Sequence, residues 1–141
     1  MSKLRDDINC DQFNRDAADC LPGLLGVEIT DVTQGEVRAR MQIGNRHMAP
    51  NGYLHAASVV ALADTACGNG TFQTLGDGDN FTPIELKSNF LGTTRDGAIV
   101  CEARPLHLGR TTQVWDAEVF RESDMRRIAT FRCTQMVLRA G

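Results

Sequence analysis

Residues 50–71 read PNGYLHAASVVALADTACGNGT, and this stretch decides the fold. Residues 56–66 are apolar except for small hydroxyl side chains and one charge, Asp64. Because Ala and Leu are strong helix formers and no Pro or Gly intervenes before Gly68, the stretch predicts a helix from Leu54 to Thr74. The helix is apolar on almost every side, so more than one sheet face or a partner subunit must cover it.

Asp64 is the residue of this helix that packing does not explain. Burial of an ionised carboxylate costs hydration, and an Asp within a helix competes for backbone hydrogen bonds. A carboxylate on a rigid helix, beside a glycine-containing turn and His55, is what a hydrolytic or proton-transfer site requires. The alternative is a buried Asp that caps a loop or pairs with an arginine. We interpret Asp64 as the candidate catalytic residue.

The segments around this helix are mostly strands. An amphipathic pattern predicts a short first helix over residues 9–20, ended by Pro22-Gly23. A turn at Gln34-Gly35 separates two strands, and the remaining segments rich in Val, Ile, Thr and Phe predict four more. The predicted strands are 26–32, 37–43, 84–91, 98–106, 111–120 and 128–138. Hairpin-length turns imply an antiparallel sheet, so we predict one α+β domain over residues 1–141, with six strands curled round one buried helix.

The composition is that of a globular protein and narrows the range of functions. The chain has 141 residues, of which 42% are hydrophobic and 23% charged, and its net charge is −3. Nucleic-acid binding needs a concentrated basic face, so we expect no nucleic-acid partner. No apolar run reaches the roughly 18 residues of a membrane span, and the charged start MSKLRDDINCDQF lacks a secretory signal. We therefore expect a cytoplasmic protein without a membrane partner.

The five cysteines are scattered and contain no C-x-x-C pair. An odd number of dispersed cysteines is typical of free thiols in a reducing compartment and not of a disulfide framework or a zinc site. We therefore expect no metal and no other cofactor.

Two segments resemble a known family. The pattern H-A-A-x-x-x-x-x-A-D, residues 55–64, resembles the HGG-x-x-x-x-x-A-D signature of hotdog-fold acyl-CoA thioesterases, closest to the phenylacetate-pathway (PaaI-type) branch related to 4-hydroxybenzoyl-CoA thioesterases. The segment TPIELKSNFLG, residues 82–92, is similar to the strand that follows the helix in that family. The likeness covers about residues 20–140. It implies a hotdog fold, meaning a curved antiparallel sheet wrapped round one long helix, and hydrolysis of an acyl-CoA to a free acid and coenzyme A.

The resemblance also implies roles for individual residues. Asp64 matches the acidic residue that acts as general base or nucleophile. Ala56 or Ala57 matches the position whose backbone N–H polarises the thioester carbonyl, although both signature glycines are alanines here. Asn51 resembles the upstream amide residue that holds substrate or water, two residues closer to the motif than usual. Pro83 occupies the position of a Ser or Thr that orients the attacking water, and Thr82, one place earlier, is the candidate to take over that role.

Elementary chemistry agrees with these roles. Unpaired N–H groups at a helix N-terminus stabilise the oxyanion of acyl transfer, and residues 55–57 occupy that end. We interpret His55 as a substrate-side residue, with bonding to a backbone group at the helix start as its alternative role. Four basic residues are candidates for the coenzyme A phosphates, and Arg110 is the best because it follows a His-Leu-Gly turn. The other three are Lys87, Arg95 and Arg104.

Two rival functions remain open. A hotdog hydratase or dehydratase of acyl thioesters needs a His paired with the carboxylate, and the candidates are His47, His55 and His107. A non-catalytic acyl-CoA-binding protein on the same fold would not need the charge of Asp64. Strands with free edges and an apolar helix predict a homodimer or homotetramer.

Overall fold

The computed structural model describes residues 10–33 and 35–141. Residues 1–9 of the charged chain start, which include the first residue of the predicted 9–20 helix, and Gln34 of the predicted turn therefore lie outside the described residues. The elements are α1 Cys10–Asp16, α2 Leu21–Leu25, β1 Val27–Thr33, β2 Glu36–Gln42, a 3-10 turn Asn45–His47, α3 Ala56–Thr74, β3 Asn80–Phe90, β4 Ala98–Leu108, β5 Thr112–Arg121 and β6 Arg126–Leu138.

One antiparallel sheet contains all six strands in the order β1-β2-β4-β5-β6-β3. The hairpins β4–β5 and β5–β6 connect neighbouring strands, whereas β3 crosses to the far edge and pairs with β6. The sheet curves round α3, which contacts every strand. The structure therefore confirms the predicted α+β arrangement of a curved sheet round one long helix.

The core fills the space between α3 and the concave face of the sheet. Alternating residues of β5 point inward, and Trp115, Ala117 and Val119 are buried, as the period of two in the sequence predicts. They pack with Leu62 and Ala63 of α3, which are fully buried. The buried side of α3 is thus covered by the sheet.

Gly70 is where α3 comes closest to the sheet. A Cβ placed on Gly70 would lie less than 3.0 Å from three atoms of the Trp115 ring, whereas one on Gly68 would lie 3.5 Å from Phe81. Gly70 is therefore required by the close approach of helix and sheet, and Gly68 is not.

Helix α3 starts at Ala56, two residues later than predicted. Leu54 is held in an isolated bridge with Met48, and His55 is the N-cap, with extended backbone angles of φ −67° and ψ 135°. The helix ends at Thr74, as predicted.

The N-terminal helix was predicted wrongly. Instead of one helix over 9–20, the structure has α1 and α2 separated by a turn, and Pro22-Gly23 lies inside α2. Proline is compatible with the first turn of a helix, where its missing N–H has no intrahelical partner, so Pro22 helps to begin α2 and does not end α1.

Strand β3 starts four residues before the predicted Ile84 and includes Pro83. A proline is tolerated there because β3 is an edge strand and its register with β6 shifts between Pro83 and Glu85.

The cysteines are all free, and Cys67, Cys101 and Cys133 are buried in the core. Burial raises the pKa of the Cys67 and Cys101 thiols, which suits them to packing and not to nucleophilic attack. Among the described residues, no helix combines the length and hydrophobicity needed to cross a membrane.

Candidate active site

Asp64 lies in the middle of α3 and is half-buried. Its Oδ1 atom is inaccessible to solvent and has no hydrogen-bond partner among residues 10–33 and 35–141. Pairing with an arginine, one alternative considered from the sequence, is not consistent with the structure, because burial is the only effect that shifts the pKa of Asp64.

Burial raises the pKa of the Asp64 carboxyl above its ordinary value of 3.8, and no nearby cation offsets this effect. A carboxylate with a raised pKa in a cleft is a better proton acceptor than an exposed one, which is why such residues concentrate at functional sites.

A mainly apolar cavity of about 380 Å³ opens beside Asp64. Its walls come from four parts of the fold, namely the N-terminal helices, α3, β3 and β6. The lining residues are Phe13, Asp16, Pro22, Asp64, Thr65, Gly68, Asn69, Phe72, Phe81, Pro83 and Gln135. They include no Arg, Lys or His, so the cavity suits the apolar part of a substrate. A cavity of about 440 Å³ elsewhere is lined by charged residues that pair with one another, such as Arg132 with Asp116.

The first two N–H groups of α3 differ in whether they have an acceptor. His55 Nδ1 accepts a hydrogen bond from the Ala57 N–H at 2.9 Å, so the Ala57 donor is occupied. Across the described residues, the Ala56 N–H has no acceptor. Of the two alternatives from the sequence, Ala56 is therefore the residue whose N–H is available to a ligand.

His55 also has a defined tautomer in its neutral form. Because Nδ1 accepts the Ala57 N–H, the ring proton must be on Nε2. The side chain is exposed. His55 therefore caps the helix, which is the backbone-bonding role weighed from the sequence, and presents a donor to the surroundings.

Within one chain, the other residues predicted to belong to the site lie away from Asp64. Asn51 is exposed, and its Oδ1 accepts the Tyr53 N–H at 3.2 Å in a local turn. Thr82 is exposed on β3, and its two neighbours line the cavity instead. Arg110 is exposed in the β4–β5 turn, where its carbonyl accepts from the Arg139 guanidinium at 2.6 Å. The structure thus brings Asp64 together with Pro83 but with none of Ala56, Asn51, His55 or Arg110.

Among the cavity residues that were assigned no role from the sequence are two buried amides. Asn69, on α3, and Gln135, on β6, are each only 1% exposed. The inward positions of β6 hold Phe131, Cys133, Gln135 and Val137, so an amide in an otherwise apolar row is the signal that sequence analysis could have used for Gln135.

His47 is a structural residue. Its ring is 1% exposed, Nδ1 accepts from the Gly44 N–H at 2.9 Å, and Nε2 lies 2.6 Å from the Leu25 carbonyl oxygen. With both nitrogens engaged, His47 joins the 3-10 turn to the end of α2 and has no free position for chemistry. In the described part of the chain, no group of three or more His, Cys, Asp or Glu is arranged to hold a metal ion.

The fold defines a class of protein, because solved thioesterase structures superpose on nearly the whole chain. The thioesterase HI1161 of Haemophilus influenzae superposes with a TM-score of 0.91 and 27% identity, covering 96% of this chain and 94% of that one. A mutant form of the thioesterase PA1618 of Pseudomonas aeruginosa gives the same TM-score and identity over 96% of this chain and 97% of that one. The fold is the hotdog fold.

Sequence comparison assigns the family. The profile of the Thioesterase superfamily matches residues 51–128. ComA2 of Bacillus subtilis, which is named as an inferred esterase, is 36% identical over 82% of this chain and 91% of its own length. The 1,4-dihydroxy-2-naphthoyl-CoA hydrolase of Listeria monocytogenes is 27% identical over 78% of this chain and 89% of its length. The chain belongs to the thioesterase superfamily and is a thioester hydrolase.

Proposed function

We propose that the protein hydrolyses an acyl-coenzyme A to a free acid and coenzyme A, with Asp64 as general base or nucleophile. The observation that supports this most is the half-buried Asp64 carboxyl, without a cationic partner, in the wall of an apolar cavity. The coenzyme A part of the proposal draws on the Listeria relative, which is named for a CoA thioester.

The chemistry needs few groups. As a base, Asp64 takes a proton from water while the water oxygen bonds to the thioester carbon. As a nucleophile, its oxygen bonds to that carbon directly, and after the thiolate has left, water hydrolyses the resulting acyl-enzyme anhydride to the free acid and restores the Asp64 carboxylate. In both routes the Ala56 N–H donates to the oxyanion, the carbon–sulfur bond breaks, and the thiolate leaves with little need for acid assistance.

Helix geometry argues that two chains share each site. Ala56 and Asp64 are eight residues apart on α3, which corresponds to roughly 12 Å along the helix axis. A carbonyl group cannot contact both directly, since each contact requires a distance of about 3 Å. We infer that Asp64 of one copy works with Ala56 of a second copy.

The edge strand β3 offers a surface for that second copy. It is 11 residues long and carries exposed apolar side chains that include Ile84, Leu86 and Phe90. A long apolar edge left open would promote aggregation, so a second copy against β3 both covers it and builds at least a homodimer. A homotetramer would follow from pairing two such dimers.

Arg110 remains our candidate for the coenzyme A phosphates. Over residues 10–33 and 35–141 no carboxylate pairs with its guanidinium, whereas Arg104 lies 3.4 Å from Glu36. Arg95 lies over the Tyr53 ring at 5.2 Å, and Lys87 is exposed on β3.

The hydratase alternative is less consistent with the histidines. A base in that chemistry needs a free acceptor nitrogen, and both nitrogens of His47 are engaged. In neutral His55 the remaining nitrogen carries the proton. His107 is exposed on β4, and it is not part of the cavity that contains Asp64.

The test is release of free thiol from a panel of acyl-CoA substrates. We expect wild type to release thiol, and Asp64→Asn to lower kcat by about 10²-fold or more, the effect of losing a general base. Asp16→Asn is the matched control, because Asp16 lines the same cavity but is exposed and bonds Gln12 at 2.9 Å.

Three results would contradict the proposal. Tight binding of acyl-CoA without thiol release would favour the binding protein. A change in double-bond absorbance without thiol release would favour the hydratase. Equal losses in both Asp variants would remove the specific role of Asp64.

A further inference from the structure

His47 is hydrogen-bonded both through its ring and through its carbonyl group. Ring atom Nδ1 accepts from the Gly44 N–H at 2.9 Å, so the neutral ring carries its proton on Nε2, which donates to the Leu25 carbonyl at 2.6 Å. The His47 carbonyl accepts twice, from the His55 N–H at 3.0 Å and from the Ser58 hydroxyl at 2.8 Å. One buried residue therefore joins the end of α2 and the 3-10 turn to the start of α3.

The same bonds surround the free N–H of Ala56. His55, which precedes it, is held by the His47 carbonyl. The Ala57 N–H donates to the His55 ring at 2.9 Å, and Ser58, one residue further on, is held again by the His47 carbonyl. Residues 55, 57 and 58 are therefore fixed by bonds that lead to His47, while the Ala56 N–H itself has no acceptor among the described residues.

The start of α3 depends on such an anchor because little of it is buried. Residues 50–53 and 55–57 are exposed, and Ser58 is the first buried residue of the helix. Helix ends fray unless side chains or tertiary contacts hold them. An oxyanion donor must be held in place before the reaction, since a donor that has to reorganise stabilises the transition state less.

We propose that His47 is a positioning residue for thioester hydrolysis, which holds the Ala56 N–H in the direction of the oxyanion. This inference rests on the proposed function, because it takes that N–H as the oxyanion donor. His47 does not contact the substrate itself, since its ring is buried and both ring nitrogens are bonded. It acts through the start of α3, where a displacement of about 1 Å would slow catalysis by up to about 10²-fold.

The first measurement is of kcat and KM in His47→Phe, with the member of the acyl-CoA panel that wild type hydrolyses fastest. Phenylalanine fills the space of the imidazole without making either ring hydrogen bond. We expect kcat to fall about 10- to 100-fold and KM to stay within about 2-fold, because an oxyanion contact forms only in the transition state. Ser58→Ala removes only the hydroxyl bond to the His47 carbonyl and should show a smaller loss in kcat.

Two conservative variants should restore part of the lost activity. His47→Asn can place an amide oxygen near the position of Nδ1, where it accepts from the Gly44 N–H. His47→Gln can place an amide nitrogen near the position of Nε2, where it donates to the Leu25 carbonyl. Each variant should have a kcat between that of wild type and that of His47→Phe.

A double-mutant cycle with Ala56→Pro separates positioning from a general effect on the fold. Proline has no N–H, and the first residue of a helix tolerates it. With no donor left to orient, adding His47→Phe to Ala56→Pro should lower kcat by less than about 2-fold, whereas two independent losses would multiply.

Ile128→Ala controls for a loss of stability alone. Ile128 is buried on β6, and its carbonyl accepts from the Leu91 N–H at 2.7 Å, whereas the bonds of His47 run to α2, the 3-10 turn and α3. The variant should lower the melting temperature, because it leaves a cavity in the core, and it should keep the wild-type kcat.

An unchanged kcat in His47→Phe, or losses that multiply in the double variant, would overturn the inference and leave thioester hydrolysis intact. If His47→Phe does not fold, Ser58→Ala takes its place in the cycle, and the same two results count against the inference. A fall in kcat for Ile128→Ala equal to that of His47→Phe would also overturn it. Absence of thiol release from every acyl-CoA in wild type would instead reject the proposed function, and with it the donor that His47 orients.

Discussion

Asp64, the residue to which we assign the activity, also carries a cost in stability. Its charge in an otherwise apolar run identified it in the sequence, and the structure gives it a raised pKa through burial. The partners of such a residue are harder to predict. Asn69 and Gln135 belong to elements distant in sequence, and only the packing of β6 against α3 places both beside Asp64.

Asp64→Asn should stabilise the protein at neutral pH. Because the folded-state pKa is raised, the native state binds a proton that the unfolded state has released, so stability falls as pH rises from 3.8 through the folded pKa. The melting temperature of the variant should therefore exceed that of wild type at pH 7, and the difference should vanish below the unfolded pKa.

Asp124→Asn is the control of opposite sign. A hydrogen bond from Arg121 lowers the pKa of Asp124 to about 2, so this carboxylate is stabilising above the unfolded pKa. Its removal should lower the melting temperature at pH 7. A lower melting temperature for Asp64→Asn as well would show that Asp64 is a structural residue.

The same pKa shift predicts the pH dependence of turnover. If the ionised carboxylate acts as the base, kcat/KM should rise with pH through the raised pKa of Asp64, above the usual Asp range. The measurement is a pH profile of thiol release. An acidic limb that persists unchanged in the residual activity of Asp64→Asn would assign it to another group.

Arg110→Ala should raise KM for acyl-CoA and leave kcat almost unchanged. A solvated arginine–phosphate contact stabilises the ground state and the transition state alike, and salt should weaken it. The control substrate is an acyl thioester that lacks the nucleotide, for which KM should not change. Equal effects on both substrates would mean that Arg110 supports the fold; no effect on either would favour Lys87, Arg95 or Arg104.

At the scale of elements, local pattern determined most of the fold. Alternating apolar and polar residues in β2 specify a strand, and the unbroken apolar run of α3 specifies a helix; the structure contains both. The prediction for the N-terminal region was wrong because a proline such as Pro22 is compatible both with the end of one helix and with the start of the next. Strand β3 begins earlier than predicted because it lies at the edge of the sheet, where Pro83 is tolerated. The edge position depends on the whole sheet, so the sequence of the segment alone did not indicate it.

Gly70→Ala and Gly68→Ala should have opposite effects on stability. Alanine gains about 1 kcal/mol of helix propensity over glycine. At Gly70 the new methyl group would overlap the buried Trp115 ring, and overpacking costs about 1–3 kcal/mol. At Gly68 the nearest atom is 3.5 Å away. Chemical denaturation measures both. A stable Gly70→Ala would mean that the helix and Trp115 have room to separate.

At the scale of the whole molecule, the single chain leaves the apolar edge strand β3 exposed, and we propose that a second copy covers it and completes the site. Leu86→Lys on β3 should convert the protein to a 15.5 kDa monomer with little activity, as light scattering would show. Leu106→Lys, at a position on β4 that is 60% exposed, should leave at least a dimer. If Leu86→Lys keeps its oligomeric state, the second copy does not contact β3.

The shared site can be tested by mixing two inactive variants. Asp64→Asn lacks the carboxylate. Ala56→Pro lacks the N–H donor, and the first position of a helix tolerates proline. His55 already has the extended backbone that precedes a proline. Each variant alone should be nearly inactive.

After the two variants are refolded together, mixed dimers would contain one site with both groups intact. Thiol release should then recover to about a quarter of the wild-type rate, because half of the dimers are mixed and each has one working site. Recovery of this size is expected if Asp64 of one copy works with Ala56 of the other. No recovery, in a sample that mass spectrometry shows to contain mixed dimers, would contradict the pairing of Asp64 with Ala56 across two copies.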